Sequence, residues 1–392
     1  MRRLPVIVLL SILVFPFTMA QSPVPSGAKV EKIATGFEFT EGPLWKDGAG
    51  LLFSDTHRSI IYLWRQSDSS VQVYLKPSDS SNGLTFDHDG NLILTQMLRR
   101  RISRQEKDGS ITPLASTYME KKFNSPNDII VTPSGSIYFT DPDFNTPAGE
   151  SKELTFQGIY RYSPSSDSLI LLDGSLKLPN GICLSPDGKK LYVNDSQAGK
   201  IYMWDVVNDS TISNKTLLYS IPLGGYADGM KVDQDGNIYC TGPTGVWIVS
   251  PSGTQLDKIA VPETPSNCAW GDADRKTLYI TAQKSIYRIR LAPATKVKDE
   301  GMNVIRTNTL FANYPNPFNP TTAIDFRIHT PGYASLKIFD LSGKFIATLF
   351  SGQAVPGTYS RKWNASEYPS GVYLCSLQSQ GYAAVKKMLL LK

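Results

Sequence analysis

From about Val30 the chain alternates apolar and polar positions in short runs broken by Gly, Asp and Ser, the period of strands half buried in a sheet. Six of these stretches share one pattern. A polar residue is followed by Gly or Asp, a short apolar run, a Gly/Asp turn, and a second alternating run that ends in Asp, Asn or Thr. They read EGPLWKDGAGLLFSDT from Glu41, NGLTFDHDGNLILTQ from Asn82, PNDIIVTPSGSIYFTD through Asn127, PNGICLSPDGKKLYVND through Asn180, ADGMKVDQDGNIYCT through Asp228 and SNCAWGDADRKTLYIT through Asn267. Their lead residues lie about 45 residues apart, and each repeat continues with one or two further alternating runs. Four short antiparallel strands in 40 to 45 residues make one propeller blade. A single twisted sheet cannot bury both faces, whereas six arranged radially cover one another. The sequence therefore predicts an all-β chain, a six-bladed β-propeller over 29–291. The stretch KVEKIATG from Lys29 supplies an outer strand for the last blade.

Residues 292–308 lose the alternation and read as a linker. Alternating runs resume from Thr309 in NYPNPFNPTTAIDFRI, SLKIFDLSGKFIATLF, GVYLCSLQS and YAAVKKMLLLK, which predicts a small β-sandwich over 309–392. At the other end Arg2 and Arg3 precede an apolar run from Leu4 to Phe17 and the small residues around Ala20, the pattern of a signal peptide over 1–20. That run is shorter than the roughly 20 residues a membrane helix needs, so no stable membrane span is expected. Composition narrows the classes further: 41% hydrophobic and 10% aromatic residues suffice for a core, and a net charge of +5 over 392 residues makes no basic stripe for nucleic acid. The four cysteines show neither close pairing nor metal-knuckle spacing, and buried free thiols fit them best.

The chemistry belongs where the repeats converge. The lead positions of a propeller face one another at the channel mouth, which here means Glu41, Asn82, Asn127, Asn180, Asp228 and Asn267. Asn and Asp also start strands for turn reasons alone, which suffices for Asn82 and Asn267 but not for Glu41. Two carboxylates, Glu41 and Asp228, with amide oxygens from Asn127 and Asn180 make an all-oxygen set suited to one divalent cation. Ca²⁺ fits first, then Mg²⁺ or Mn²⁺, with Zn²⁺ a poorer match. The runs that return to the mouth end near Asp55, Asp141, Asp195 and Thr281. Capping of the following turn and contact with substrate are equally good readings of Asp141 and Asp195. Just beyond lie His57, the loop Gln96–Arg101 and Phe144 and Asn145, which would wall a pocket. Asn82, Asn267, His57 and Arg100 are accordingly expected substrate contacts.

EGPLW at Glu41, NSPNDI with GSIYFTDP around Asn127, LPNGICLSPDGKKLYV around Asn180 and ADGMKVDQDGNIYCT with Asp228 occur in order. On these motifs the propeller resembles the gluconolactonase, senescence-marker-protein and luciferin-regenerating-enzyme superfamily. The resemblance implies one divalent ion at the channel mouth and hydrolysis of a small lactone, with organophosphate cleavage known in related members. It further implies Glu41, Asn180 and Asp228 as direct ligands, Asn127 as a direct or water-mediated ligand that also meets substrate, and Asp228 as the candidate base. A phosphotriesterase acting through the same ion and a non-enzymatic binding propeller remain alternatives. The C-terminal unit resembles the type IX secretion sorting domain, with a carbohydrate-binding sandwich as the alternative. Sorting implies type IX secretion machinery as partner and a secreted or surface-attached protein of a Gram-negative bacterium.

Overall fold

The computed structural model describes residues 22–291 and 308–392, apart from 145, 223, 224, 312, 314, 329, 330, 356, 380 and 381. The leader expected over 1–20 and nearly all of the linker expected over 292–308 lie outside the described residues. The chain divides into two compact units, one within Met1–Thr295 and the other within Lys296–Lys392.

In the first unit, six antiparallel four-stranded sheets follow one another along the chain. Their innermost strands are Thr40–Lys46, Ser81–Phe86, Ile129–Val131, Pro179–Leu184, Met230–Val232 and Pro265–Gly271. Each innermost strand packs beside the next, and the last packs beside the first, so the sheets form a closed ring of blades. The sixth sheet is completed by Glu31–Thr35, which pairs with Ser285–Arg290 as its outermost strand. Ring closure thus joins the start of the propeller to its end.

The alternation in sequence is the packing of these blades. Apolar residues from the facing sides of adjacent sheets form separate clusters between blades, such as Leu52, Ile61, Leu84 and Leu94 between the first and second. Tyr239, Ile248, Cys268, Leu278 and Ile280 fill the space between the fifth and sixth. Burial of each side chain of this kind contributes roughly 1.5 to 3 kcal/mol. All four cysteines are buried free thiols. A β-bulge in the first, second, fourth and sixth blades lets the start of the innermost strand break register, as between Glu41 and Leu44 or between Pro179 and Ile182. Bulges re-aim side chains at strand ends, and here they lie at the lead residues of the repeat.

The second unit contains a three-stranded and a four-stranded sheet around one core that includes Phe326, Ile338, Trp363, Tyr373 and Leu377. Trp363 is buried against Phe318 and Tyr373. Trp363 is therefore a core residue and not itself a sugar-stacking platform.

Candidate active site at the channel mouth

Because the six innermost strands start at one end of the channel, their first side chains share that end. Glu41, Asn82, Asn127, Asn180 and Asn267 are nearly inaccessible, and Asp228 is partly buried. The approach is tight enough to dictate the following residue. A Cβ on Gly42, whose φ is +51°, would lie 1.9 Å from the Asn82 carbonyl oxygen. One on Gly181 would lie 2.3 Å from the Asp228 carbonyl oxygen. Glycine after the lead residue is what lets neighbouring blades bring their oxygens together.

The side chains orient one another. Asn180 Nδ2 donates to Asp228 Oδ1 at 2.8 Å, and Asn267 Nδ2 donates to Glu41 Oε2 at 3.2 Å. Gly42 N also donates to Glu41 Oε2, at 3.0 Å. With its amide nitrogen turned toward Asp228, Asn180 has its amide oxygen left over. Oδ1 of Asn82, Asn127 and Asn180 is buried with no hydrogen-bond partner. A buried acceptor left unmade costs about 1 to 3 kcal/mol, and those of Asn127 and Asn180, at the mouth with two carboxylates, call for a shared partner. Burial raises the Glu41 carboxyl well above the ordinary range, and the charges of Asp228 and Asp128 raise it further. Burial likewise raises Asp228, with Asp128 adding to the effect. Two carboxylates that resist ionising together and amide oxygens without donors are the surroundings a hard cation satisfies. Among the described residues no three His, Cys, Asp or Glu side chains gather as a metal site. An ion at this mouth would therefore be held by the mixed carboxylate and amide set.

The expected residues divide into groups. Asn127 and Asn180 keep free oxygens. Asn82 keeps one too, while its Nδ2 lies 3.9 Å from Met97 Sδ. Asn267, expected to meet substrate, has both amide atoms engaged, because its Oδ1 accepts from Cys268 N at 2.9 Å. It positions Glu41. His57 is exposed on a mouth loop, its ring stacked on Phe39 at 5.4 Å. Arg100, also expected to meet substrate, turns inward: its guanidinium is 1% exposed and donates to the Phe123 and Ser151 carbonyls and to Glu150. Nε and Nη1 thus tie the mouth loops together, while Nη2 is buried without a partner. Arg99 and Arg101 are likewise paired with Asp79.

Two features of the site escaped the sequence. Asp128 is buried behind Asn127, where its Oδ2 accepts from Ile182 N at 3.3 Å and lies 3.7 Å from Lys231 Nζ. The channel thus contains a third carboxylate and one compensating ammonium. The other is the residue near the end of each second strand, Ser54, Thr95, Thr140, Asn194 or Thr241, with Thr281, which the sequence did mark, in the sixth blade. All six are buried and polar, and the repeat itself carried that signal, at the position just before Asp55, Asp141 and Asp195.

Residues 39–284 match the SMP-30/gluconolactonase/LRE-like region, and residues 312–391 match the secretion system C-terminal sorting domain. A gluconolactonase of Zymomonas mobilis is 34% identical over 67% of this chain and 81% of its own length. A putative sugar lactone lactonase of Rhizobium meliloti is 28% identical over 66% of this chain and 85% of its own length. Among solved structures, a gluconolactonase of Xanthomonas campestris superposes with a TM-score of 0.64 at 30% identity, covering 68% of this chain and 91% of that one.

Proposed function

The chain belongs to the SMP-30/gluconolactonase/LRE-like family, and from that premise we propose that it hydrolyses a lactone of a sugar acid or another small hydroxy acid with the help of one divalent cation. The observation that carries the cation is the set of buried, partnerless oxygens of Asn127 and Asn180 beside the carboxylates of Glu41 and Asp228. Those four residues would hold it. Ca²⁺ suits an all-oxygen set with two carboxylates best, and Mg²⁺, Mn²⁺ or Zn²⁺ are the substitutes to test. When bound, the ion supplies Lewis-acid polarisation of the lactone carbonyl and a lowered pKa for a bound water.

The protein's own groups do the rest. Asp228 is the base: it is the more accessible carboxylate, and Asn180 fixes one of its oxygens. It takes a proton as water adds to the acyl carbon and returns it to the ring oxygen as the acyl C–O bond breaks, which yields the open hydroxy acid. Asn127 orients the ester at the mouth. Asn267 and Gly42 hold Glu41 in place. The match of the second unit to a sorting domain supports export: we read residues 1–20 as the leader and 309–392 as the address for type IX secretion machinery, giving a secreted or surface-attached enzyme of a Gram-negative bacterium.

The test is proton release from D-glucono-1,5-lactone and from a simple γ-lactone by the full-length protein, with Ca²⁺ and with chelator. Ca²⁺-dependent opening is expected, with Asp228→Ala slowing it by about 10² to 10⁴ at an unchanged unfolding midpoint. A folded, cation-loaded protein that opens no lactone would overturn the reading, as would full activity in Asp228→Ala.

A further inference from the structure

Near the end of the second strand in each of the first five blades a buried polar side chain reaches across to the next blade. Ser54 Oγ donates to the Asn82 carbonyl at 2.9 Å, Thr95 Oγ1 to the Asn127 carbonyl at 2.8 Å, and Thr140 Oγ1 to the Asn180 carbonyl at 2.8 Å. Asn194 Nδ2 donates to the Asp228 carbonyl. In the fifth blade the bond falls one residue earlier, and in the sixth it comes from Ser266 of the innermost strand. Thr241 Oγ1 lies 2.8 Å from the Ser266 carbonyl, and Ser266 Oγ donates to the Thr40 carbonyl at 2.6 Å. The series runs once round the channel, and each of its acceptors is a lead residue or the residue just before one.

Two members are relays. Gly83 N donates to Thr95 Oγ1 at 2.9 Å, and Asp128 N donates to Thr140 Oγ1 at 3.2 Å. Each hydroxyl thus accepts from the residue after its own blade's lead residue and donates to the lead residue of the next. Thr140 in this way joins Asn127, through the adjacent Asp128, to Asn180. Nothing in strand pairing demands a hydroxyl there, since the backbone ladder is already made by main-chain groups.

We propose that Thr95, Thr140 and Asn194 are positioning residues for the cation, setting the backbone of Asn127, Asn180 and Asp228 so that their side-chain oxygens converge. This rests on the cation reading of the mouth and adds to it residues that touch neither ion nor substrate. Of the three, Thr140 is decisive. The Asn127 carbonyl has a second donor in Gly83 N at 2.8 Å, whereas Thr140 is the donor the structure gives to Asn180. Ser54 is the internal control, because it makes the same bond to Asn82, which lies outside the four proposed ligands.

The experiment is calorimetric titration of the chelator-treated, full-length protein with Ca²⁺, paired with thermal unfolding in chelator. Thr140→Val should bind Ca²⁺ about tenfold more weakly, the scale set by one unmade buried hydrogen bond. Thr140→Ser, which restores the hydroxyl, should return to within about twofold of the parent on the same ground. Ser54→Ala should lower the unfolding midpoint without moving the Ca²⁺ affinity. Thr95→Val gives the same readout with a smaller shift and serves if Thr140→Val fails to fold. Equal affinity in the valine and parent proteins, or an equal loss in Ser54→Ala, would overturn the inference while leaving the cation site standing. A parent protein that binds neither Ca²⁺, Mg²⁺ nor Mn²⁺ would overturn both.

Discussion

Asp55, Asp141 and Asp195 occupy one position of the repeat and perform one task. Asp55 accepts from Glu38 N and Phe39 N, Asp141 from Asn124 N, and Asp195 from Lys177 N. Each fastens the segment entering its own blade's innermost strand to the end of the second strand. Capping of the following turn is seen at Asp195, which also accepts from Ala198 N at 3.3 Å, whereas the bonds to Asp141 tie down the entering segment. Asp141 does so at a cost, because its Oδ1 is buried without a partner. Burial raises its carboxyl from 3.8 to about 7, against hydrogen bonds from Asn124 and Ser125 and the charge of Arg100. The folded state therefore binds the proton more tightly than the unfolded chain between those two values, and stability conferred by the neutral acid is lost as pH rises from about 4 to 7. Asp141→Asn keeps an acceptor for Asn124 N and does not titrate. Urea unfolding midpoints should diverge in favour of the variant from pH 4 to 7 and run parallel above; curves parallel throughout would refute it. Repeat position alone told which side chains reach the mouth. It did not tell which way an amide or a carboxylate turns, and that is why the bond from Asn267 to Glu41 was not foreseen.

At the scale of elements, periodicity served the strands well and the mouth loops poorly. The lead residues could be read because each sits at a fixed offset from a Gly/Asp turn, whereas the segment from Pro142 to Gln157 has no period and its partners come from elsewhere in the chain. Arg100 is the main one. It adopts a left-handed φ of 54° at the end of a turn, sends its side chain inward, and pairs with Glu150 at 3.0 Å and Glu153 at 3.8 Å. Lys122 Nζ shares Glu150, and Lys122 N donates to Glu153 at 2.8 Å. The short hairpin of Thr117–Tyr118 with Lys121–Lys122 and the long third-blade loop are thereby pinned side by side. Arg100→Met retains the buried stem but removes the guanidinium's own bonds to Phe123, Glu150, Ser151 and Glu153. It is expected to destabilise the protein by about 1 to 3 kcal/mol and to speed amide hydrogen exchange from about 146 to 156, with the innermost strands unaffected. Uniform exchange across the propeller, or none, would show that the guanidinium does not hold this loop.

For the molecule as a whole, the closed ring is the condition for the mouth to exist, since six lead residues meet only if the sixth blade abuts the first. The closing strand is Glu31–Thr35, legible in advance as an alternating run with no blade of its own, and its seam is locked by a residue the pattern did not mark. Glu263 Oε1 accepts from Lys32 Nζ at 2.8 Å, Ser285 Oγ at 2.6 Å and Tyr287 Oη at 2.7 Å, while Oε2 accepts from Lys284 N at 3.2 Å. Partial burial alone would raise this carboxyl, but the bonds from Lys32, Ser285, Tyr287 and Lys284 prevail and hold it at about 2, below the ordinary 4.5. The sign is therefore opposite to that of Asp141. Stability from the ionised latch is complete above about pH 4.5 and disappears as pH falls through about 2. Lys32 is 46% exposed and Glu263 25% exposed, so water screens the pair and the multiple hydrogen bonds carry most of the effect. Glu263→Gln should lower the urea midpoint at pH 6 and 0.1 M salt, and the gap to the parent should close between about pH 4.5 and 2. Because opening this seam uncovers one face of each of two blades, the variant should also show faster exchange in Glu31–Thr35 and Ser285–Arg290 before any other strands. A gap that persists undiminished at pH 2 would mean that Glu263 acts by packing, and the ring would then be closed by apolar contact between the first and sixth blades without an ionic latch.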